Sequence, residues 1–337
     1  MKTKRWLCGL LSLLFLFALS ACDGSKKSSP VSVLMKRATG WPYEVLVVMD
    51  QDVWKGEAGR LLHDELTASV PGLPQNEPTM RITYAEPQHF DGLLRYVRNI
   101  IQVQVDSSLY TKVFTRKETD RWASGQEVLS VYAPSSRLLA EYFQKEGASL
   151  VAYLGRKELE RRAAALEEAH SSLVSRLVEE RFHARLFAPE EMCSYKDTTD
   201  FFWVTDHGRN GRMDFVVYCF PYTDARTFTL DYLVAKRDSV LGANIPGAYP
   251  NSYMTTEKRF APSFTAVEKQ GTYCAVVRGL WEMEGDMMGG PFVSHACLDE
   301  KRQRVIVAEA FVYAPHTTKA NLMRRAEASL WTFGVEE

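Results

Sequence analysis

The chain has 337 residues, of which 46% are hydrophobic and 25% charged, with 14 Pro and 20 Gly. That length holds about two domains of ordinary size, and the composition excludes a disordered tail, a collagenous repeat and a multi-span membrane protein. The 41 basic and 42 acidic residues leave a net charge of −1. Such a balance excludes the basic surface that holds nucleic-acid phosphates, so no nucleic-acid partner is expected.

The amino terminus has the parts of a secretory signal. Lys2, Lys4 and Arg5 form a basic start, and Leu10 to Leu19 is an apolar run broken only by Ser12. A membrane-spanning helix needs about 20 apolar residues, so this run is short for one. It ends in Leu19-Ser20-Ala21-Cys22, which resembles the bacterial lipobox. The resemblance implies cleavage before Cys22 and acylation of both its sulfur and its new amino terminus. Several acyl chains hold a protein durably where one does not, at about 0.8 kcal/mol per buried methylene. Residues 1–21 are thus expected to be a signal peptide and 22–41 a flexible tether, with an rms reach of roughly 25 Å. Loss of Lys2, Lys4 and Arg5 leaves 38 basic residues against 42 acidic ones. Attachment to the membrane then rests on the acyl chains.

After the tether, Tyr43–Asp50 reads as a buried strand. Val53 to Ala68 follows as a helix, with Asp52 as its N-cap and Trp54, Ala58, Leu61, Leu62 and Leu66 on one side. Pro71-Gly72 stops it. Strands are expected at Thr79–Ala85, Asn99–Val105, Lys112–Arg116 and Glu127–Tyr132, and Pro134-Ser135-Ser136 opens a helix through about Glu146. Lys157 to Phe187 is rich in Ala, Leu, Glu and Arg and reads as a long connecting helix. The second half then repeats the order. Asp214–Phe220 is a strand apolar on both faces and so central, and Leu230–Leu241 is a helix ended by Pro246-Gly247. Strands follow at Ser252–Thr256, Thr272–Trp281, Phe292–Leu298 and Val305–Tyr313, and Pro315 precedes the last helix.

The junctions also match in sequence. Val131-Tyr132-Ala133-Pro134 corresponds to Val312-Tyr313-Ala314-Pro315, and Ala148-Ser149-Leu150 to Ala328-Ser329-Leu330. The expected fold class is α+β: two similar β-α-β-β-β-β-α units at 42–150 and 191–337, joined by a helix within 151–190. Each unit is expected to be a mainly antiparallel sheet with its helices on one face.

Chemistry-bearing patterns are few. Glu167/His170 and Glu180/His183 repeat a Glu-x-x-His spacing. On one helix, however, the copies are separated by about 20 Å of rise and roughly 220° of azimuth, so they cannot share an ion. His170 instead sits on a packing seam with Leu159, Ala163, Leu166, Leu173 and Leu177, and a hydrogen-bonded, partly buried role is expected. His207 lies in a Gly/Asn-rich turn and reads as an exposed turn residue. Cys193, Cys219, Cys274 and Cys297 remain after the leader, with no C-x-x-C pair. Four cysteines allow three pairings, and the sequence leaves disulfide and thiol open. No nucleophile elbow, zinc-helix, P-loop or dinucleotide signature occurs, so no catalytic residue, metal or cofactor is expected.

One segment stands out. Trp281 to Gly290 carries three acids, three Met and three Gly between two strands. Its Met side chains either fold back on the core or form an adaptable contact loop through Trp281, Glu282, Met283, Glu284, Asp286, Met287 and Met288. Ca²⁺ binding by Glu282, Glu284 and Asp286 is a third option, without EF-hand spacing.

The lipobox, the Trp41-Pro42-Tyr43-Glu44 start and Val312-Tyr313-Ala314-Pro315 together resemble a Bacteroidetes lipoprotein family, the domain of unknown function 4837. Its motifs are structural, so the resemblance transfers no functional residue. Surface-exposed lipoproteins of that group carry an acidic run after the Cys, and Asp23-Gly24-Ser25-Lys26-Lys27 lacks one. The resemblance therefore implies an outer-membrane anchor facing the periplasm. The expected role is a non-catalytic binding or assembly lipoprotein with an envelope protein or glycan as partner. The alternative is an envelope hydrolase that acts on glycan or peptidoglycan through paired carboxylates.

Overall fold

The computed structural model describes residues 35–209, 211–269 and 271–336. The signal segment, the lipobox with Cys22, and most of the tether lie outside the described residues. Among the described residues no helix is long and apolar enough to cross a membrane.

The first half runs β1 (Glu44–Val48), α1 (Gln51–Lys55), α2 (Glu57–Thr67), β2 (Arg81–Ala85), β3 (Asn99–Val105), β4 (Phe114–Thr119), β5 (Glu127–Ala133) and α3 (Ser136–Glu168). Strand side chains alternate between faces. Val45, Val47, Ile101, Val103, Leu129 and Val131 pack on α2 and α3 through Leu62, Leu66, Leu139 and Phe143. Leu46, Val48, Ile100 and Val128 point the other way, under Phe90, Leu94, Val97 and Trp122.

The strand order is β2-β1-β3-β5-β4. β1 is parallel to β2 and β3, β3 is parallel to β5, and β4 is antiparallel to β5. This corrects the expected antiparallel sheet. Residues 86–98 between β2 and β3 supply the dozen or so residues that a parallel crossover requires. They cross β1 on the face away from α2 and α3, where Phe90 and Leu94, set by two short 3-10 turns, take the place of an α-helix as cover.

α3 is longer than expected, because it continues through Gly147. A Cβ there would stand 2.9 Å from Cγ of Glu65, so glycine is what lets α2 lie close against α3. The expected connecting helix is instead broken. α3 ends at Glu168 and α4 (Ser172–Phe182) starts afresh, with the Ser171 hydroxyl accepting from Val174 N–H. Glu167/His170 and Glu180/His183 therefore fall on either side of a helix break. The His170 ring Nδ1 meets Leu166 O at 2.8 Å and stacks on Phe187 at 4.2 Å.

The second half adds β6 (Ala184–Arg185), β7 (Ser194–Asp197), β8 (Phe201–Thr205), β9 (Arg212–Pro221), α5 (Leu230–Asn244), β10 (Tyr253–Thr256), β11 (Ser263–Lys269), β12 (Thr272–Glu284), β13 (Gly289–Asp299), β14 (Arg304–Tyr313), α6 (Ala320–Thr332) and β15 (Gly334–Val335). The main sheet has the order β10-β12-β13-β14-β9-β8-β7, antiparallel at every pairing, with β11 also on β12. One face packs on α4 and α6 through Val178, Phe182, Met323 and Leu330. The other packs on α5 through Leu233 and Leu241. Helices on both faces correct the expected one-sided cover, and they explain why β9, β13 and β14 are buried along most of their length.

The expectation of two similar units is overturned as well. The junction at Val131–Ala133 ends a strand between one parallel and one antiparallel neighbour, whereas Val312-Tyr313 ends a strand between two antiparallel ones. The shared junction sequence marks a common strand-to-helix turn and no common topology. The halves are nonetheless joined by polar contacts. Glu77, in the first half, accepts from the backbone N–H groups of Lys319 and Ala320 at 2.7 and 3.0 Å. Its carboxylate so satisfies two of the orphan donors at the start of α6 and complements the helix dipole. Arg324 of α6 lies 3.8 Å over the Tyr43 ring and donates to Thr79 O at 2.6 Å.

Candidate functional site

A groove of about 510 Å³ lies on the face of the first sheet that carries no α-helix. Register explains its make-up. One rung crosses the sheet as Ala85, Val48, Gln102, Ser130 and Arg116. The next rung toward the carboxyl ends of β3 and β5 runs Gln104, Tyr132 and Phe114. The rung before them, Leu46, Ile100 and Val128, is covered by the crossover. Beyond that cover the face turns polar and then aromatic. Parallel sheets ordinarily have both faces covered by helices, so a polar stretch beyond the crossover is a departure.

Its position is also the one where parallel α/β sheets bind ligands. β1 and β3 are adjacent, and their continuations lead to opposite sides of the pair. The crevice at their carboxyl ends is a topological switch point. Asp50, Asp106, Pro87 and Tyr132 border it there, and Arg121 stands at the other end.

The Ser130 side chain is 1% exposed, and its Oγ has no hydrogen-bond partner in the protein. A buried hydroxyl left unpaired costs roughly 1–3 kcal/mol. Neighbouring Gln102 accepts from Arg121 Nη1 at 3.5 Å, and Gln104 accepts from Tyr110 Oη at 3.0 Å. Arg121 also pairs with Glu118 at 3.1 Å and lies 4.2 Å over the Trp122 ring. Tyr132 stacks on Phe114 at 4.9 Å and leans on Tyr110 at 5.1 Å. Asp106 accepts from the Ser108 hydroxyl and N–H at 2.6 and 2.8 Å, and these bonds hold its carboxyl below the usual range. A carboxyl held ionised in this way is a hydrogen-bond acceptor and a poor general acid. The groove therefore combines side-chain amides, a hydroxyl and an acceptor with an aromatic shelf.

The residues singled out in the sequence lie elsewhere. Trp281 to Gly290 is no ten-residue loop. β12 and β13 continue into it and leave a turn of Gly285–Met288. Trp281 and Met283 are 1% and 6% exposed and belong to the core under α5. The Trp281 indole donates to Val312 O at 3.2 Å. The contact reading is thus corrected for Trp281 and Met283, whose side chains fold inward as the register of β12 requires. Met287 is fully exposed, Glu284 is exposed, and Glu282, Asp286 and Met288 are half-buried. Asp286 turns inward on its own turn, accepting from Met287 N–H and Ala248 N–H.

A carboxylate pair does exist in the second half, between Glu257 and Glu282. Hydrogen bonds from Arg259 hold Glu257 down at about 2, while burial and then Glu257 push Glu282 up. Neither lines the groove. Asp214 and Glu309, both raised by burial, are tied to Arg212 and Arg237. Sequence reasoning missed the groove, although its signal was present. Ile101-Gln102-Val103-Gln104-Val105 alternates apolar and polar, and Ser130 interrupts an apolar strand on the same face.

Comparison with known proteins bears on the family. Residues 38–167 match the family described as Domain of unknown function (DUF8532), and residues 171–332 match Domain of unknown function (DUF4837). The boundary falls at the break between α3 and α4. No curated protein matches the chain. Among solved structures, the Ran-binding protein Mog1p of Saccharomyces cerevisiae is similar at 10% identity and a TM-score of 0.28, over 45% of this chain and 90% of that one. A Mog1 mutant gives 10% and 0.27, over 46% and 92%. A protein from Bacteroides thetaiotaomicron gives 12% and 0.21, over 46% of each chain. Likenesses this weak bear on neither fold nor function. Residues 171–332 are thus similar to the DUF4837 family.

Proposed function

We propose that this is a non-catalytic envelope lipoprotein, anchored through Cys22 to the outer membrane on its periplasmic side. In this reading it binds a carbohydrate chain along the open face of its first sheet. The observation that carries it is the unpartnered Ser130 hydroxyl on the floor of a groove with amides beside it and an aromatic shelf at its end. A sugar ring has an apolar C–H face and a rim of hydroxyls. Tyr132 and Phe114 suit the face, and Gln102, Gln104, Ser130 and Asp106 suit the rim, a few polar groups fixing the orientation.

Co-sedimentation with peptidoglycan sacculi tests this, with Tyr132→Ala as the comparison. Retention of the wild type, and a loss of about tenfold or more in the variant at unchanged thermal stability, is expected. Equal retention of both would contradict the groove as the site. For the anchor, Cys22→Ser is expected to abolish palmitate labelling and leave an unprocessed precursor.

The hydrolase reading has one observation in its favour, the opposed shifts of Glu257 and Glu282. Its test is release of soluble fragments from sacculi, lost in Glu282→Gln.

A further inference from the structure

The register of the second sheet places Cys219, Cys274 and Cys297 in ways that decide their chemistry. Cys274 on β12 lies directly opposite Cys297 on β13. Antiparallel rungs alternate between hydrogen-bonded and non-hydrogen-bonded pairs. In the same hairpin Met283 N–H donates to Met288 O at 2.9 Å, which makes that rung a hydrogen-bonded one. The ladder runs without a bulge to Cys274–Cys297, nine rungs away, an odd number. The cysteine pair therefore occupies a non-hydrogen-bonded rung. There the Cα atoms approach to about 4.5 Å, inside the window of about 4.4–6.8 Å that a disulfide spans.

Both side chains point into the core under α4 and α6 and are 0% and 3% exposed. The facing Cys297 thiol lowers Cys274, while Cys274, together with burial, raises Cys297. His295, two residues before Cys297 on the same face, is 1% exposed with neither ring nitrogen partnered. Burial lowers its pKa and so keeps it neutral. Other pairings are blocked. Cys219 faces Ile306, which in turn faces Cys297, so Cys219 is two strands or about 9.6 Å away. Cys193 donates to Thr205 O at one end of β8, whereas Cys219 N–H bonds Asp200 O at the other.

We propose that Cys274 and Cys297 are a redox pair that closes to a cross-strand disulfide by exchange with a disulfide oxidant. One cysteine, as thiolate, attacks a sulfur of the oxidant, forming a mixed disulfide and expelling one thiolate. The other cysteine, as thiolate, then attacks the protein sulfur of that mixed disulfide, closing the S–S bond and expelling the second thiolate. The two cysteine protons pass to the two expelled thiolates, and the oxidant is reduced by two electrons. Because both sulfurs are buried, exchange takes place as β12 and β13 close during folding or when they open transiently.

The test uses the full chain, equilibrated in glutathione disulfide both folded and during refolding from urea. It is then acid-quenched, unfolded and alkylated, and its peptides are mapped by mass. The expected result is one linked species joining the peptides of Cys274 and Cys297, with Cys193 and Cys219 alkylated. Dithiothreitol is expected to reverse it. Full alkylation of Cys274 and Cys297 after both treatments would overturn the proposal, as would linkage of either to Cys193 or Cys219.

Discussion

The guanidinium of Arg237 on α5 lies against the carboxylate of Glu309 on β14, with Nε to Oε2 at 2.9 Å and Nη2 to Oε1 at 2.8 Å. Both side chains are out of contact with water. Arg237 further donates to the Thr256 hydroxyl at 3.0 Å and stacks over Phe292 at 3.9 Å. A buried ion pair of this kind adds little net stability over a matched apolar pair, but removing one partner strands the other charge.

Arg237→Met or Glu309→Leu alone is therefore expected to cost about 3–5 kcal/mol in urea unfolding. The double variant is expected to recover most of that loss. Additive losses would show that packing on Phe292, rather than charge pairing, dominates.

Lys269 supplies a pH test. The residue is 7% exposed, and its ammonium donates to Leu330 O and lies 5.5 Å from the centre of the Phe333 ring. Burial pulls its pKa down to about 8. Between about pH 8 and the unfolded value near 10.4, the unfolded chain holds a proton that the folded one has released. Stability from this group therefore rises with pH across that window. Lys269→Met is expected to be the more stable protein at pH 7, with the gap narrowing by roughly 2 kcal/mol by pH 10. A gap independent of pH would contradict the assignment.

The turn after β12 separates core from surface over a few residues. Trp281→Ala removes a ring packed edge-on to Phe311 at 5.5 Å and is expected to cost about 3–5 kcal/mol. Met287→Ala at the exposed tip is expected to stay within about 0.5 kcal/mol. Urea midpoints of the two variants check both values.

These residues also show which parts of the fold were legible in the sequence. The apolar run of β9 marked a central strand, and Pro71-Gly72 and Pro246-Gly247 marked breaks after helices. Strand direction was not legible, because the segment 86–98 crosses β1 without helical periodicity. Its apolar anchors Phe90 and Leu94 are too sparse to announce a crossover. Trp281 and Met283 misled as loop residues because the hairpin extends further than their glycines suggest. The groove stayed hidden for a related reason. Gln102, Ser130 and Tyr132 come from two strands, and only parallel pairing puts them side by side.

The central claim is that the groove over Gln102 and Ser130 is the binding surface, and Ser130→Val tests it most directly. Valine fills the same buried place without a hydroxyl, so the free protein is expected to be as stable as the wild type or slightly more so. Calorimetric titration with soluble peptidoglycan glycan fragments is the measurement. The account predicts binding by the wild type and about tenfold weaker binding by the variant, the worth of one hydrogen bond to a ligand. Equal affinity in the two proteins, or no binding by the wild type, would contradict it.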